Sequence, residues 1–202
     1  VSAVGSLREE IEPRHFVVPD QLYDHTKNRT STFFGDGIVS HVGFADPFCP
    51  ILGQCIYQSA KKVGATIHSG GTYICMEGPA FSTLAESNLY RKFGFAVIGM
   101  TAAPEAKLAR EAEISYAVLA CSTDYDCWHE DHETVTTEMI IETLLANVET
   151  AKQIVRSAIQ NLPLDRSSSP AYKALEKSIA TNPNVIPEET KQKLELLIGK
   201  YL

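Results

Sequence analysis

Short apolar segments alternate with longer segments of helical periodicity along most of this chain. Four apolar runs, bounded by Gly, Pro and Asp, have the length of strands and occupy residues 15–19, 72–76, 96–100 and 115–120. Strands that alternate with helical patterns are typical of an α/β domain with a covered central sheet. We therefore predict an α/β fold.

The helical patterns differ in length and strength. In residues 50–63, apolar positions recur at helical spacing, and residues 82–93 form a second pattern that stops at Gly94. The longest pattern covers residues 136–162, where it continues over several turns. A polar, Ser-rich loop is predicted at 163–170, followed by a helical tail at 171–202 with helices at 171–180 and 187–202. We treat residues 1–202 as a single domain.

Composition and charge narrow the classes of partner. The formal net charge is -7, with 44% hydrophobic and 21% charged residues. A nucleic-acid surface requires clustered Lys and Arg, so we expect no nucleic-acid partner. Five cysteines without a CxxC pair indicate buried thiols in a reducing compartment. We find no apolar run long enough for a membrane span and no signal-peptide pattern, and we expect a cytoplasmic protein without membrane contact.

The first residues of the chain do not have the pattern of a domain start. Residues 1–6 have the pattern of a strand end that enters a Gly-containing loop, a place where domains rarely begin. We therefore expect that an amino-terminal segment precedes them in the natural protein, or that the chain is a natural fragment.

Two aspartates are the strongest candidates for chemistry. Asp124 and Asp126 follow the apolar run 115–120, and ligands of open α/β sheets bind beyond the carboxyl ends of strands. Two carboxylates in different environments can differ in pKa, so that one retains a proton and acts as a general acid. The alternative is that they cap the following turn or bind a cation, although the D-x-D-x-D-G pattern of calcium loops is absent.

Two further segments lie at predicted strand ends. Phe81 could stack on a planar ring and Ser82 could offer a hydroxyl. Alternatively, Phe81 fills the core and Ser82 only caps the next helix. Met100 ends the run 96–100 and Thr101 follows it, and methionine alone is more often a core residue than a ligand. No G-x-G-x-x-G pattern follows a strand, which argues against a dinucleotide cofactor.

Several motifs together resemble one family, the methylthioadenosine phosphorylases of the purine nucleoside phosphorylase superfamily. The motifs are SAVGSLREEI, DQLYDHT, ADPFCP, EGPAFSTLAES, VIGMTAAPE and STDYDCW, within residues 2–162. The resemblance implies a mixed, twisted central sheet that curls toward a barrel and is surrounded by helices. It also implies phosphorolysis of 5'-methylthioadenosine to adenine and 5-methylthioribose 1-phosphate, with inorganic phosphate as co-substrate and no metal or cofactor.

The resemblance also assigns roles to residues. Asp124 matches the acid at purine N7, and Asp126 matches its companion near the amino group. Phe81 and Ser82 match the base-facing pair, and Met100 and Thr101 match contacts to ribose and phosphate. The remaining matches are a phosphate loop at Ser2 and Ala3, further substrate contacts at Val4 and Gly5, and a methylthio pocket at Thr137 and Ile140.

The assembly is implied in the same way. His41 matches a residue that closes the pocket of a neighbouring subunit in a homotrimer, while an interface or surface histidine remains the alternative. The sequence also departs from the family, because its Gly-Gly-Ser phosphate loop and Arg-His segment have no counterpart here. Ala80 stands where an arginine is common, and Ser2 where a threonine is usual. Because the absent segments carry most of the family's phosphate ligands, we expect this chain alone to be a poor or inactive catalyst unless the missing part is supplied.

Two other functions remain open. A phosphorylase of 6-oxopurine nucleosides or methylthioinosine is the first alternative, although such enzymes have Asn at the position of Asp124 and Glu near that of Ser82. A non-catalytic nucleoside-binding fragment of the fold is the second.

Overall fold

A mixed sheet forms the centre of the molecule. The computed structural model describes residues 1–129 and 137–202, and within them the sheet has seven strands in the order β3-β5-β6-β1-β7-β2-β4. The strands are β1 Ser2–Ser6, β2 Phe16–Val18, β3 Gln21–His25, β4 Ile67–Ser69, β5 Thr72–Met76, β6 Val97–Gly99 and β7 Ala120–Asp124.

Helices cover both faces of this sheet. Those in the described residues are α1 Pro50–Lys62, α2 Leu84–Lys92, α3 Ala102–Glu111, α4 Thr137–Gln160 and α5 Glu188–Ile198, with short 3₁₀ turns at Pro183–Val185 and Gly199–Tyr201. The predicted α/β fold with a mixed central sheet is confirmed. The sheet stays open, because each outer strand pairs with one neighbour only. Thr136, the predicted start of α4, lies outside the described residues.

Two apolar layers hold the helices to the sheet. One layer joins buried residues of β5 and β6, such as Tyr73 and Val97, to Ala102 and Ala106 of α3. The alanines let α3 approach the sheet closely. The opposite layer packs residues of β2, β4 and β7 against α1 and α4, with Ile154 of α4 fully buried. All five cysteines are free thiols, as expected, but only Cys49, Cys75 and Cys121 are buried, whereas Cys55 and Cys127 are partly exposed.

The prediction of a strand at 115–120 is wrong. The strand is β7, which begins at Ala120 and continues through Cys121, Ser122 and Thr123 to Asp124. Its parallel pairing with β1 starts at Ser2↔Ala120 and includes Val4↔Ser122. Backbone pairing on both sides therefore extends the strand through polar residues, while the apolar run before it fills the core without a ladder.

The amino-terminal segment also differs from the prediction of a strand end and loop. Residues Ser2–Ser6 form a complete strand in the middle of the sheet, antiparallel to β6 and parallel to β7. Val4 and Ser6 are buried there. The Gly in this segment is thus a strand residue rather than a turn residue.

The predicted helix at 171–180 is not formed. Residues 171–178 make consecutive turns with bonds such as Ala174 N–H to the Ala171 carbonyl. The amide of Leu175 donates to the Glu113 carboxylate at 3.0 Å, and Lys173 has a φ of 55°. This tertiary hydrogen bond removes an amide that a helix would need. The predicted helix at 187–202 is confirmed in part by α5, and in the described residues no helix combines the length and apolar character needed to cross a membrane.

Glu113 binds the carboxy-terminal segment to the rest of the domain through hydrogen bonds. Its side chain is buried and accepts hydrogen bonds from the Leu175 amide, the Tyr201 hydroxyl and the Lys200 ammonium group. Burial by itself would raise the pKa of Glu113, but these bonds outweigh it and lower the pKa below its ordinary value. The carboxylate therefore stabilises the fold as long as it is ionised.

We predict that Glu113→Gln lowers the free energy of unfolding at pH 7 by about 1–3 kcal/mol, the usual loss when buried partners lose an ionised acceptor. Because the folded pKa is lowered, the difference from the wild type should shrink as the pH falls below the ordinary value of 4.5. Urea unfolding at pH 7 and pH 3.5 measures both effects. Glu142→Gln, exposed on α4, is the control, and an equal loss in it would contradict the prediction.

Candidate active site

A cavity of about 460 Å³ runs along β1 and gathers most of the residues singled out in the sequence. Those that line it are Ser2, Ala3, Val4, Gly5, Phe81, Ser82, Met100, Thr101, Asp124, Asp126 and Ile140. Thr137 and His41 do not line it. The three segments that follow β5, β6 and β7 thus meet at one site.

The opposite directions of the two strands beside β1 place polar groups at both ends of the cavity. Antiparallel β6 brings Thr101 beside Ser2, with 3.5 Å between their hydroxyl oxygens. Parallel β7 ends with Asp124 beside Gly5. Since a strand advances about 3.3 Å per residue, the hydroxyls and the carboxylates are separated by about 10 Å along β1.

Gly5 allows the carboxylates to approach the sheet. A Cβ atom added at this residue would lie 3.0 Å from Asp124 Oδ1 and 3.3 Å from Asp126 Cβ. The register of β1 and β7 also shifts between Val4 and Gly5, and such bulges commonly redirect a side chain next to a functional site. Any larger residue at position 5 would displace the aspartates.

The Asp124 side chain can be satisfied in either protonation state. Its oxygens accept hydrogen bonds from the Thr123 hydroxyl and the Asp126 amide, each at 2.7 Å. Burial raises the pKa of Asp124, and these two bonds oppose the shift. If the carboxyl is protonated, it can donate a hydrogen bond to Thr123 Oγ1. The Thr123 hydroxyl can then donate its own hydrogen bond to the Val4 carbonyl, 3.2 Å away.

Asp126 is the less satisfied of the two. It is 8% exposed, and its buried Oδ2 has no hydrogen-bond partner among the described residues. Burial raises the pKa of Asp126, the nearby Ser87 hydroxyl opposes the shift, and the charge of Asp124 adds to it. Among the described residues, no three His, Cys, Asp or Glu side chains come together as a metal site.

The turn after β5 presents an aromatic ring and a hydroxyl to the same cavity. Phe81 is 48% exposed, so it does not fill the core. Thr83 caps α2 in a capping box with Glu86, which leaves the Ser82 hydroxyl uninvolved in the cap. Both structural alternatives considered for this pair are therefore wrong.

Arg29 holds the ends of β5 and β6 together. Its guanidinium group donates to the Met100 carbonyl at 2.9 Å and to the Glu77 carbonyl at 2.6 Å. It also lies 3.5 Å from the Glu77 carboxylate. No sequence motif indicated this residue, because its two partners are distant in sequence and are recognised through their backbone atoms.

The sequence also missed side chains that support or line the cavity. Glu105, Thr123 and Cys127 line it, and the Tyr116 hydroxyl donates to Glu105 Oε2 at 2.5 Å. Burial raises the pKa of Tyr116, so this phenol keeps its proton. Thr123 and Cys127 flank the aspartates within the STDYDCW motif, which was the available signal for them.

The two predicted residues outside the cavity lie on the surface. His41 is exposed, in a loop whose backbone bonds to residues 178–179. Thr137 is the exposed first residue of α4. Their predicted roles at the substrate remain predictions.

Comparison with known proteins defines the class of this site. Residues 1–160 match the model of the phosphorylase superfamily. This match covers most of the chain, including β1, all three loops of the cavity and the sequence of the whole of α4. The protein belongs to the phosphorylase superfamily.

Particular relatives are more closely similar. S-methyl-5'-thioadenosine phosphorylase of Geobacter sulfurreducens is 57% identical over the whole of this chain, which covers 71% of that relative. The enzyme of the same name from Koribacter versatilis is 56% identical, again over the whole chain and 68% of the relative.

Solved structures agree in fold. A methylthioadenosine phosphorylase from an antarctic soil metagenomic library superimposes with a TM-score of 0.90 and 44% identity, over 97% of this chain and 69% of that one. The methylthioadenosine phosphorylase of Schistosoma mansoni in complex with adenine gives a TM-score of 0.77 and 33% identity, over 81% of this chain and 65% of that one.

We predict that Asp126→Asn stabilises the protein at pH 7.5 by about 1 kcal/mol, or about 2–4 °C in Tm. Because the pKa of Asp126 is raised on folding, ionisation costs stability, and this cost grows as the pH rises above the ordinary value of 3.8. Asparagine removes the charge and tolerates the backbone φ of 53°. Thermal unfolding at pH 4 and pH 7.5 tests this.

The control for this prediction is Asp46→Asn, which changes an exposed aspartate. An equal gain in the control, or a gain in Asp126→Asn that does not depend on pH, would show that buried charge is not the cause.

Proposed function

We propose that this protein catalyses the cleavage of 5'-methylthioadenosine by inorganic phosphate to adenine and 5-methylthioribose 1-phosphate. The observation that supports this most directly is one cavity that joins the carboxyls of Asp124 and Asp126 at one end to hydroxyls and a helix start at the other. The relatives named S-methyl-5'-thioadenosine phosphorylase, at 56–57% identity over the whole chain, favour this reaction over the alternatives.

The carboxyl end of the cavity suits a leaving purine. As the glycosidic bond breaks, negative charge develops on the base, and a positioned acid at N7 neutralises it. Asp124 fits this role because its pKa is raised and because, when it is protonated, it can donate a hydrogen bond to Thr123 Oγ1 in the resting state. Asp126 also lines the cavity, and its carboxylate would turn the covered, unpartnered Oδ2 toward the amino group of adenine to accept a hydrogen bond.

The hydroxyl end suits the phosphate. Helix α3 begins at Ala102, directly after Thr101, and Thr101 makes no side-chain cap. The first amides of a helix and its dipole attract anions. Together with Ser2 Oγ and Thr101 Oγ1, they would hold phosphate so that its oxygen attacks C1' while the ribosyl group has cationic character.

Other contacts complete the proposal. Phe81, exposed in the cavity, would stack on the purine, with Ser82 beside it. Ile140 and Met100 both line the cavity and would provide apolar surface for the methylthio group. His41, exposed on a loop, would reach the site of a neighbouring subunit in a homotrimer.

A phosphorylase of 6-oxopurine nucleosides is the less suitable alternative. An ionised Asp126 would face the carbonyl oxygen of a 6-oxopurine without a hydrogen to share. An exocyclic amine provides that hydrogen. The buried, unpartnered oxygen of Asp126 therefore favours adenine over hypoxanthine.

We expect phosphate-dependent release of adenine from 5'-methylthioadenosine, with slower release of hypoxanthine from inosine. Asp124→Asn should lower kcat by about 10²–10⁴, because the amide cannot deliver a proton to the base. Liquid chromatography of the released base, with and without phosphate, measures both. Asp46→Asn should leave kcat unchanged. Faster cleavage of inosine, or full activity in Asp124→Asn, would refute the proposed reaction or the proposed acid, respectively.

A further inference from the structure

Tyr73 does not line the cavity, but its hydroxyl contacts Ser2, which does. The residue lies on β5 and is fully buried, yet its hydroxyl is 3.2 Å from Ser2 Oγ on β1. In the sheet, β6 lies between these two strands. The phenol side chain must therefore cross a whole strand to make this contact.

Gly99 of β6 provides the space for this crossing. A Cβ atom at position 99 would lie 1.9 Å from the Tyr73 hydroxyl oxygen and 2.6 Å from Cζ, distances that no packing adjustment of a fixed ring could relieve. The φ of Gly99 is not in the left-handed region. Glycine is required here for space and not for backbone conformation, so Tyr73 and Gly99 act as a pair.

Either hydroxyl can be the donor in this contact, and the phenol is able to take that role. Burial raises the pKa of Tyr73, so the phenol retains its proton at neutral pH. If this proton is donated to Ser2 Oγ, the hydrogen of Ser2 is left to point into the cavity. Thr101 Oγ1, 3.5 Å from Ser2 Oγ, lies beside it. Hydroxyls in such a chain polarise one another and become better donors to an anion.

We propose that Tyr73 is a positioning residue that orients the Ser2 hydroxyl toward inorganic phosphate. This inference rests on the proposed function, because it assumes that phosphate binds at the hydroxyl end of the cavity. The Ala3 carbonyl is a competing acceptor, 3.4 Å from Ser2 Oγ, and without the phenol nothing would orient the Ser2 hydrogen away from it. The purine end, about 10 Å away along β1, should not be affected.

The test is the dissociation constant of inorganic phosphate for the full chain, measured by isothermal titration calorimetry, with that of adenine measured in parallel. Tyr73→Phe keeps the ring that fills the core and removes only the hydroxyl. We expect it to weaken phosphate binding about tenfold, the loss of one hydrogen bond of about 1.4 kcal/mol. Adenine binding should change less than twofold.

Two further variants separate positioning from general destabilisation. Tyr201→Phe removes a phenol hydrogen bond of 2.6 Å to Glu113, outside the cavity, and should leave phosphate binding unchanged. In a Ser2→Ala background, Tyr73→Phe should cause no additional loss, because Tyr73 acts through Ser2.

The outcomes are distinct from those of the activity assay. Wild-type phosphate binding without adenine release would refute the proposed reaction and leave the role of Tyr73 measurable. The role is overturned if wild type does not bind phosphate, if Tyr73→Phe binds it as wild type does, or if phosphate and adenine binding weaken together. It is also overturned if the losses in Tyr73→Phe and Ser2→Ala are additive.

Discussion

The pairing of β1 with two strands of opposite direction is the constraint on which the site depends. Because β6 is antiparallel and β7 parallel to β1, the end of β6 meets the start of β1 and the end of β7 meets its other end. The hydroxyls of Ser2 and Thr101 and the carboxyls of Asp124 and Asp126 are thereby held at two ends of one cavity. Without this mixed pairing, all loops would meet at a single edge of the sheet, as they do in fully parallel folds.

The carboxyl end is costly for the fold, and this cost is consistent with a role in ligand binding. A buried oxygen of Asp126 has no protein partner among the described residues, while Asp124 next to it is held by two hydrogen bonds. Buried polar groups without partners are rare in folded proteins, and strained or unsatisfied groups are concentrated at functional sites. Other buried polar atoms of the described residues also lack a partner, among them Ser40 Oγ and Ser157 Oγ outside the cavity, but Asp126 is the carboxylate in that set. A carboxylate is the most costly of these groups to bury without a partner, and Asp126 lines the cavity where a ligand could bind.

The sequence predicted the parts of the structure that follow from local pattern. Strand β5 and helix α1 have apolar periodicity and clear end signals, and both were found close to their predicted limits. Strand β7 was misplaced because pairing with β1 and β2, and not hydrophobicity, holds its polar residues in extended form. The segment at 171–178 lost its predicted helix to a hydrogen bond from Glu113, which is distant in sequence. Arg29 and Tyr73 were missed for the same reason, since their partners are reached across the fold.

The fixed spacing along β1 has a consequence for how this type of site can diversify. Ser2 and Gly5 belong to a strand that is buried between two others, so insertion or deletion of a residue between them would turn every following side chain to the opposite face. The fold therefore fixes the distance between the two polar ends. Ligand preference can instead change through substitutions in the cavity walls, at Phe81, at Ser82 and on α4. A rigid inhibitor that spans both ends would therefore keep its fit, because substitutions within β1 leave the distance between the ends unchanged.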